Sequence, residues 1–169
     1  FSEGAPATPP AVSLLERHAL CMTYTGGTTG RPKGVLMNHR ARAITAHTVV
    51  VEEHLTAEDV VGIVTPLFHV AGLNIMFQPA MLVGAATVLV TPWNADAYLA
   101  AVQEERITAA FMVPTQANAL ATHPQLEAHD LSSWTKLSFA GAPMPDWVQV
   151  DLQRGVPLHR LTQTYGQSA

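Results

Sequence analysis

The chain is poor in the features that mark several large protein classes. It has one cysteine, Cys21, in 169 residues, which excludes an internal disulfide and fits a reducing cytoplasm. Charged residues make up 13%, against about a quarter in a free-standing soluble domain. Nine Lys and Arg stand against thirteen Asp and Glu, for a net charge of −4, and they form no basic run. Nucleic acid and anionic membrane surfaces are therefore not expected partners. The longest weakly polar run, residues 79–90, is interrupted by Gly84 and Thr87 and is too short to span a bilayer. No secretory signal pattern opens the chain. Cys21 sits in the apolar run Ala19-Leu20-Cys21-Met22, where a thiol is expected to pack rather than react.

What the chain does have is 48% hydrophobic residues and an alternation of apolar β-branched runs with longer amphipathic ones. Strands are expected at 20–25, 35–37, 60–65, 86–91, 109–113, 137–140 and 158–162. Helices are expected at 39–54, 70–83, 95–105, from Pro114 onward, and at 145–154. This alternation implies crossover units: an α/β fold with a mainly parallel sheet and helices on both faces. Residues 1–17, with Pro6, Pro9 and Pro10, read as a linker or tail, and 18–169 as the folded part. The low charge and the start at Phe1 suggest a piece of a longer enzyme whose remainder would cover this surface.

Between two apolar runs lies Tyr24-Thr25-Gly26-Gly27-Thr28-Thr29-Gly30-Arg31-Pro32-Lys33-Gly34. Its glycines let backbone N–H groups turn toward an anion, its threonines add hydroxyl donors, and Lys33 adds a point charge. That chemistry suits a polyphosphate. A Walker A loop needs Lys directly after Gly and before Ser or Thr, and Lys33 instead lies between Pro32 and Gly34. GxGxxG cannot be laid on these glycines either. Without a ligand, the same residues could form a plain surface hairpin.

Three further segments follow expected strands, where ligands of open parallel sheets bind. They are Pro66-Leu67-Phe68-His69, Gly141-Ala142-Pro143 and Gln163-Thr164-Tyr165-Gly166. Taken alone, His69 beside Phe68 could be a packed core residue, and Gly141 an ordinary strand-to-helix turn. The other histidines (His18, His39, His47, His54, His123, His129, His159) make no HExxH or comparable ligand set, so no protein metal site is assigned.

The eleven residues from Tyr24 closely resemble the phosphate-binding loop of the adenylate-forming (AMP-binding) superfamily, usually YTSGTTGxPKG, with Gly26 in place of the commonest serine. PLFH at 66–69 resembles the acyl-CoA synthetase type, as Ala140-Gly141-Ala142-Pro143 does the GGAPL-type turn. Residues 163–169 resemble QxYGxTE. The resemblance implies a fragment of the large N-terminal domain of a carboxylate–CoA ligase. Such an enzyme uses ATP, Mg²⁺ and CoA on a fatty or aromatic acid. It implies Thr25, Gly26, Gly27, Thr28, Thr29, Gly30 and Lys33 on the phosphates, and His69 at the carboxylate. Gly141, Ala142, Pro143, Tyr165, Gly166 and Ser168 would flank the nucleotide. His69 and Lys33 would act in the chemistry. Ala169 stands where the family carries a metal-binding glutamate, and an alanine methyl cannot bind a cation that demands oxygen. A carrier protein as acceptor, and a non-catalytic nucleotide-binding relative, are the alternatives.

Overall fold

The computed structural model describes residues 4, 8, 11–26 and 30–166. Two sheets form. The first is an antiparallel hairpin of β1 (Ala19–Tyr24) and β2 (Gly34–Asn38), with Met22 opposite Leu36 and Tyr24 opposite Gly34. The second has five parallel strands in the order β4-β3-β5-β6-β7. Its strands are β3 (Val60–Ile63), β4 (Ala86–Leu89), β5 (Ala109–Met112), β6 (Lys136–Phe139) and β7 (Arg160–Gln163). The mainly parallel α/β architecture expected from the sequence is therefore present.

One expectation needs correction: the glycine–threonine loop does not follow a strand of the parallel sheet. The connection 25–33 is shorter than the dozen or so residues that a parallel crossover takes, so β1 and β2 can only pair antiparallel.

Helices cover both faces of the parallel sheet because its inner strands alternate between two cores. In β5, Ala110 and Met112 point to one side, where α3 (Ala95–Glu105) brings Tyr98, Leu99 and Val102. On the same side α4 (Pro114–Ala121) brings Leu120, and α5 (Asp146–Gly155) brings Val148 and Leu152. Ala109 and Phe111 point to the other side, joined by Val61, Ile63, Met76 and Ala80. Caps set where the helices begin. Asn38 Oδ1 accepts the Ala41 N–H at 2.8 Å to open α1 (His39–Glu52), and Asn94 Oδ1 accepts the Ala97 N–H at 2.9 Å to open α3. A short 3₁₀ turn at Leu126–Ala128 was not anticipated.

The expected single helix over 70–83 is two. A π-helix spans Ala71–Phe77 and runs into α2 (Gln78–Val83). Pro79 lacks the N–H that an α-helix would direct to residue 75, and its ring crowds that carbonyl; a wider turn before it relieves both. Gly72 lets this helix lie flush on the chain leading into it, since a Cβ there would sit 2.5 Å from the Thr65 carbonyl oxygen and 2.6 Å from that of Pro66.

Charges buried at the amino end of the sheet hold the strands in register. Lys136 Nζ reaches both carboxylate oxygens of Asp59 at 2.8 Å and the His54 carbonyl at 2.8 Å. Thr108 Oγ1 donates to Asp59 Oδ1 at 2.7 Å, and the Thr56 N–H to Oδ2 at 2.8 Å. Burial pushes the Asp59 carboxyl up, but the donors from Lys136, Thr108 and Thr56 together prevail and hold it below the ordinary range. Nearby, Glu53 is buried against β6 and β7, and the loss of water raises its carboxyl despite the charge of Arg160 and the hydroxyls of Thr162 and Ser138.

The two carboxylates act oppositely on stability. Asp59 contributes above the ordinary carboxylate range, and that contribution is lost as pH falls through its lowered value. Glu53 binds its proton more tightly when folded, so its contribution is lost as pH rises through its raised value. Glu53→Gln cannot ionise. Its melting temperature should therefore gain on the unsubstituted protein between about pH 4 and pH 8. Thermal melts across that range check this, and a difference that stays flat or shrinks with rising pH would contradict it.

Candidate active site

At the hairpin, the Thr25 N–H donates to the Lys33 carbonyl at 3.0 Å, and the Lys33 N–H donates to Thr25 Oγ1 at 3.4 Å. These two bonds close the base of the glycine–threonine loop and set Thr25 and Lys33 facing each other at its mouth. A Cβ built at Gly26 or at Gly30 would meet nothing within 4 Å among the described residues. Gly27, Thr28 and Thr29 lie outside the described residues, as do Ser168 and Ala169.

Along β1, Cys21, Thr23 and Thr25 point inward and are half-buried, while Met22 and Tyr24 point out and are exposed. Residues 21–26, Met22 and Tyr24 among them, line one side of a cavity of about 810 Å³. Its opposite wall comes from the loop after β3 and from the π-helix, including Phe68, His69, Leu73 and Asn74. The hairpin and the first of the three sheet-edge loops are thus brought together around one space.

His69 has a defined polarity. The Ala71 N–H donates to its Nδ1 at 3.1 Å, and its own backbone N–H is spent on the Pro66 carbonyl at 2.9 Å. With Nδ1 serving as acceptor, the neutral ring carries its proton on Nε2 and offers an N–H donor. Such a donor stabilises negative charge on an oxygen placed against it.

The parallel strands place the remaining loops at the same edge. Gly141, two residues beyond the end of β6, turns the chain at φ +91°, a conformation that glycine adopts without penalty. Ala142 and Pro143 follow it and are exposed. The end of β7 is tied to the end of β6 by the Thr164 N–H and Oγ1, which donate to the Phe139 carbonyl at 2.9 and 3.4 Å. Tyr165 and Gly166 therefore emerge beside the Gly141 turn, with Tyr165 88% exposed. The structure so forms two groupings: Thr25, Gly26 and His69 around the cavity, and Gly141, Ala142, Pro143, Tyr165 and Gly166 beyond the neighbouring strands β6 and β7. Gly30 and Lys33 stand at the loop, outside the cavity lining.

Sequence reasoning missed the β1 wall and Asn74. The alternation of Cys21, Thr23 and Thr25 carried the first signal, and a lone amide inside Ala71-Gly72-Leu73-Asn74-Ile75-Met76-Phe77 carried the second. It also missed Arg42, a buried guanidinium that donates to Gln78 Oε1 at 2.9 Å and to the Asn74 carbonyl at 3.3 Å. Those bonds fix α1 to the helix that forms the cavity wall.

The AMP-binding enzyme family matches residues 2–168. The chain belongs to that family. Among its relatives, the feruloyl-CoA synthase of an Amycolatopsis species is 35% identical over 98% of this chain and 33% of that protein. The indoleacetate–CoA ligase of Aromatoleum aromaticum is 37% identical over 96% of this chain and 31% of that protein. Among solved structures, the inhibitor-bound N-terminal domain of FACL13 from Mycobacterium tuberculosis superimposes with a TM-score of 0.87 at 25% identity, over 98% of this chain and 41% of that one. ATP-bound MatB from Rhodopseudomonas palustris gives a TM-score of 0.85 at 22% identity, over 99% of this chain and 33% of that one, a likeness of fold. The chain spans about a third of the length of the curated AMP-binding relatives it matches. Among the described residues no helix is long and apolar enough to cross a membrane.

The His69 geometry is open to direct measurement. Long-range ¹H–¹⁵N spectra of the ring in the neutral state should show the proton on Nε2. A neutral ring protonated on Nδ1 would mean that the bond from Ala71 is not formed.

Proposed function

We propose that this chain is the AMP-binding subdomain of a longer enzyme that activates a carboxylic acid with ATP and passes the acyl group to CoA. The observation that carries this reading is the single cavity that joins the mouth of the glycine–threonine loop, at Thr25 and Gly26, to the PLFH loop at His69. Relatives named for CoA ligation of ferulate, indoleacetate and 4-coumarate support it, and they favour an aromatic acid over a fatty one.

In the first step an oxygen of the acid attacks the α-phosphorus of ATP, and the bond to pyrophosphate breaks. Backbone N–H groups and hydroxyls from Thr25 to Gly30, with the charge of Lys33, would hold the departing pyrophosphate. His69, through Nε2–H, would orient the carboxylate for attack. Gly141, Ala142 and Pro143 would give a close-fitting backbone edge beside the base, and Tyr165 a flat apolar ring to stack on it. Gly166 and Ser168 would complete the phosphate end. In the second step the CoA sulfur attacks the acyl carbon, AMP departs, and the thiol proton is lost to solvent.

Mg²⁺ is implied by the family, but the described residues do not fit a protein site for it. No group of three or more His, Cys, Asp or Glu among them could hold a metal ion, and the hairpin strands and the loop between them carry no carboxylate.

The test is carboxylate-dependent exchange of labelled pyrophosphate into ATP. It is run on residues 1–169 and on the polypeptide at the full length of its relatives, over a panel of aromatic and fatty acids. The longer polypeptide should exchange with at least one aromatic acid and the 169 residues should not. Lys33→Ala should lower exchange by about 10²-fold, the scale of losing one charge-stabilising donor, with an unchanged melting temperature. Silence of the longer polypeptide over the whole panel would overturn the reading. Unfolding by Lys33→Ala would make that residue structural instead.

A further inference from the structure

Arg42 lines no part of the cavity, yet it is bonded directly behind two of its walls. It belongs to the first turn of α1 and is 6% exposed. On the hairpin side its Nη1 points to Met37 Sδ at 3.9 Å, and Met37 pairs across the hairpin with Cys21, a residue of the lining. On the other side Nε and Nη2 donate to Gln78 Oε1 at 3.3 and 2.9 Å, and Nη2 donates to the Asn74 carbonyl at 3.3 Å. Leu73 and Asn74 line the opposite wall, and the Leu73 N–H donates to the His69 carbonyl at 3.1 Å, so His69 moves with that helix.

The bond to Asn74 answers a defect in the helix itself. The Gln78 N–H closes on the Leu73 carbonyl, five residues back. The same pattern directs the N–H of residue 79 to the Asn74 carbonyl, and Pro79 has none. Arg42 Nη2 stands in for it. A side chain from another element thus completes the backbone of the wall helix at the turn that borders the cavity. The planar guanidinium fork fixes its acceptors in direction as well as distance, which a lysine ammonium on a flexible stem does not.

We propose that Arg42 is a positioning residue for adenylate formation. Without touching a substrate, it sets where the loop mouth at Thr25 and Gly26 stands relative to His69. This rests on the ligase reading above and deepens it. Under that reading each wall carries one reactant, and a misplacement of about 1 Å costs on the order of 10²-fold in rate. Each wall keeps its own binding groups when the tie is loosened, so affinity for either substrate persists while the chemical step slows.

The experiment measures pyrophosphate exchange by the full-length enzyme with the aromatic acid it uses best, alongside melting temperature. Two variants carry it: Arg42→Lys, and Arg42→Met combined with Gln78→Leu, which removes donor and acceptor together and spares stability. In both, kcat should fall by about 10²-fold while KM for ATP and for the acid stays within about threefold. A merely structural Arg42 predicts otherwise: activity would follow the folded fraction, and the paired variant would regain kcat along with its melting temperature. That result overturns the proposal, as does a loss confined to KM. Gln78→Met leaves the cation and its bond to Asn74 in place and removes one arm, and it should lower kcat by about tenfold with both KM values held. Unchanged kcat in that variant overturns the proposal even where the Arg42 variants do not fold. In each of these outcomes the ligase reading stands, whereas no exchange by the unsubstituted enzyme with any acid removes that reading and this inference together.

Discussion

The carboxylate of Asp59 is where three strands of the parallel sheet are gathered. It lies just before β3, accepts from Thr108 just before β5, and takes both contacts from Lys136 at the start of β6. Backbone bonds from Thr108 to Val60 and from Thr135 and Lys136 to Thr108 continue the same seam. A buried pair of this kind gains little over apolar packing, but losing one partner leaves an uncompensated charge, typically at about 3–5 kcal/mol. Its consequence is positional. With the amino ends of β3, β5 and β6 held level, their carboxyl ends are level too, and the loops at His69 and Gly141 start from fixed points on one edge.

The site is assembled from parts of unequal kind. The sheet-edge loops sit on a scaffold packed on both faces, while the glycine–threonine loop hangs on a hairpin that belongs to no other sheet. The hairpin is joined to the rest through α1, where Arg42 ties Met37 of β2 to Gln78 and the Asn74 carbonyl. Burial lowers the pKa of that guanidinium, an effect partly offset by the nearby Cys21, yet arginine stays charged across any working pH. The glycine–threonine hairpin and the π-helix wall of the cavity are therefore tied through one buried cation. Under the proposed ligase reading, that tie would hold the ATP side and the acid side of the site in one fixed relation.

Much of this was legible in the sequence, for local reasons. The runs at Val60, Ala86, Ala109 and Leu137 are short, apolar and bounded by turns, so their strand character did not depend on distant partners. The loops after β3, β6 and β7 were found by position. The separate hairpin could have been found too, since the connection 25–33 is too short for a crossover. What was not legible depends on contacts distant in sequence. Nothing near Glu53 announces that it will be buried against β6 and β7, and nothing near Asn74 announces that its carbonyl will take a guanidinium from α1. The π-helix follows from Pro79 only once the helix is known to continue through it. The roles given to Lys33, His69 and Tyr165 came from resemblance, and the structure supplies their setting rather than their function.

The central claim is that the hairpin cavity and the Gly141–Tyr165 edge form one continuous site for an acyl-adenylate. The most direct measurement is a crystal structure of the full-length enzyme with a non-hydrolysable acyl-sulfamoyl adenosine built on an aromatic acid. The account places its sulfamoyl group between Thr25–Gly26 and His69, its aromatic ring in the cavity, and its adenine between the Gly141–Pro143 turn and Tyr165. Adenine bound in the hairpin cavity, or the aromatic ring bound away from His69, would contradict it.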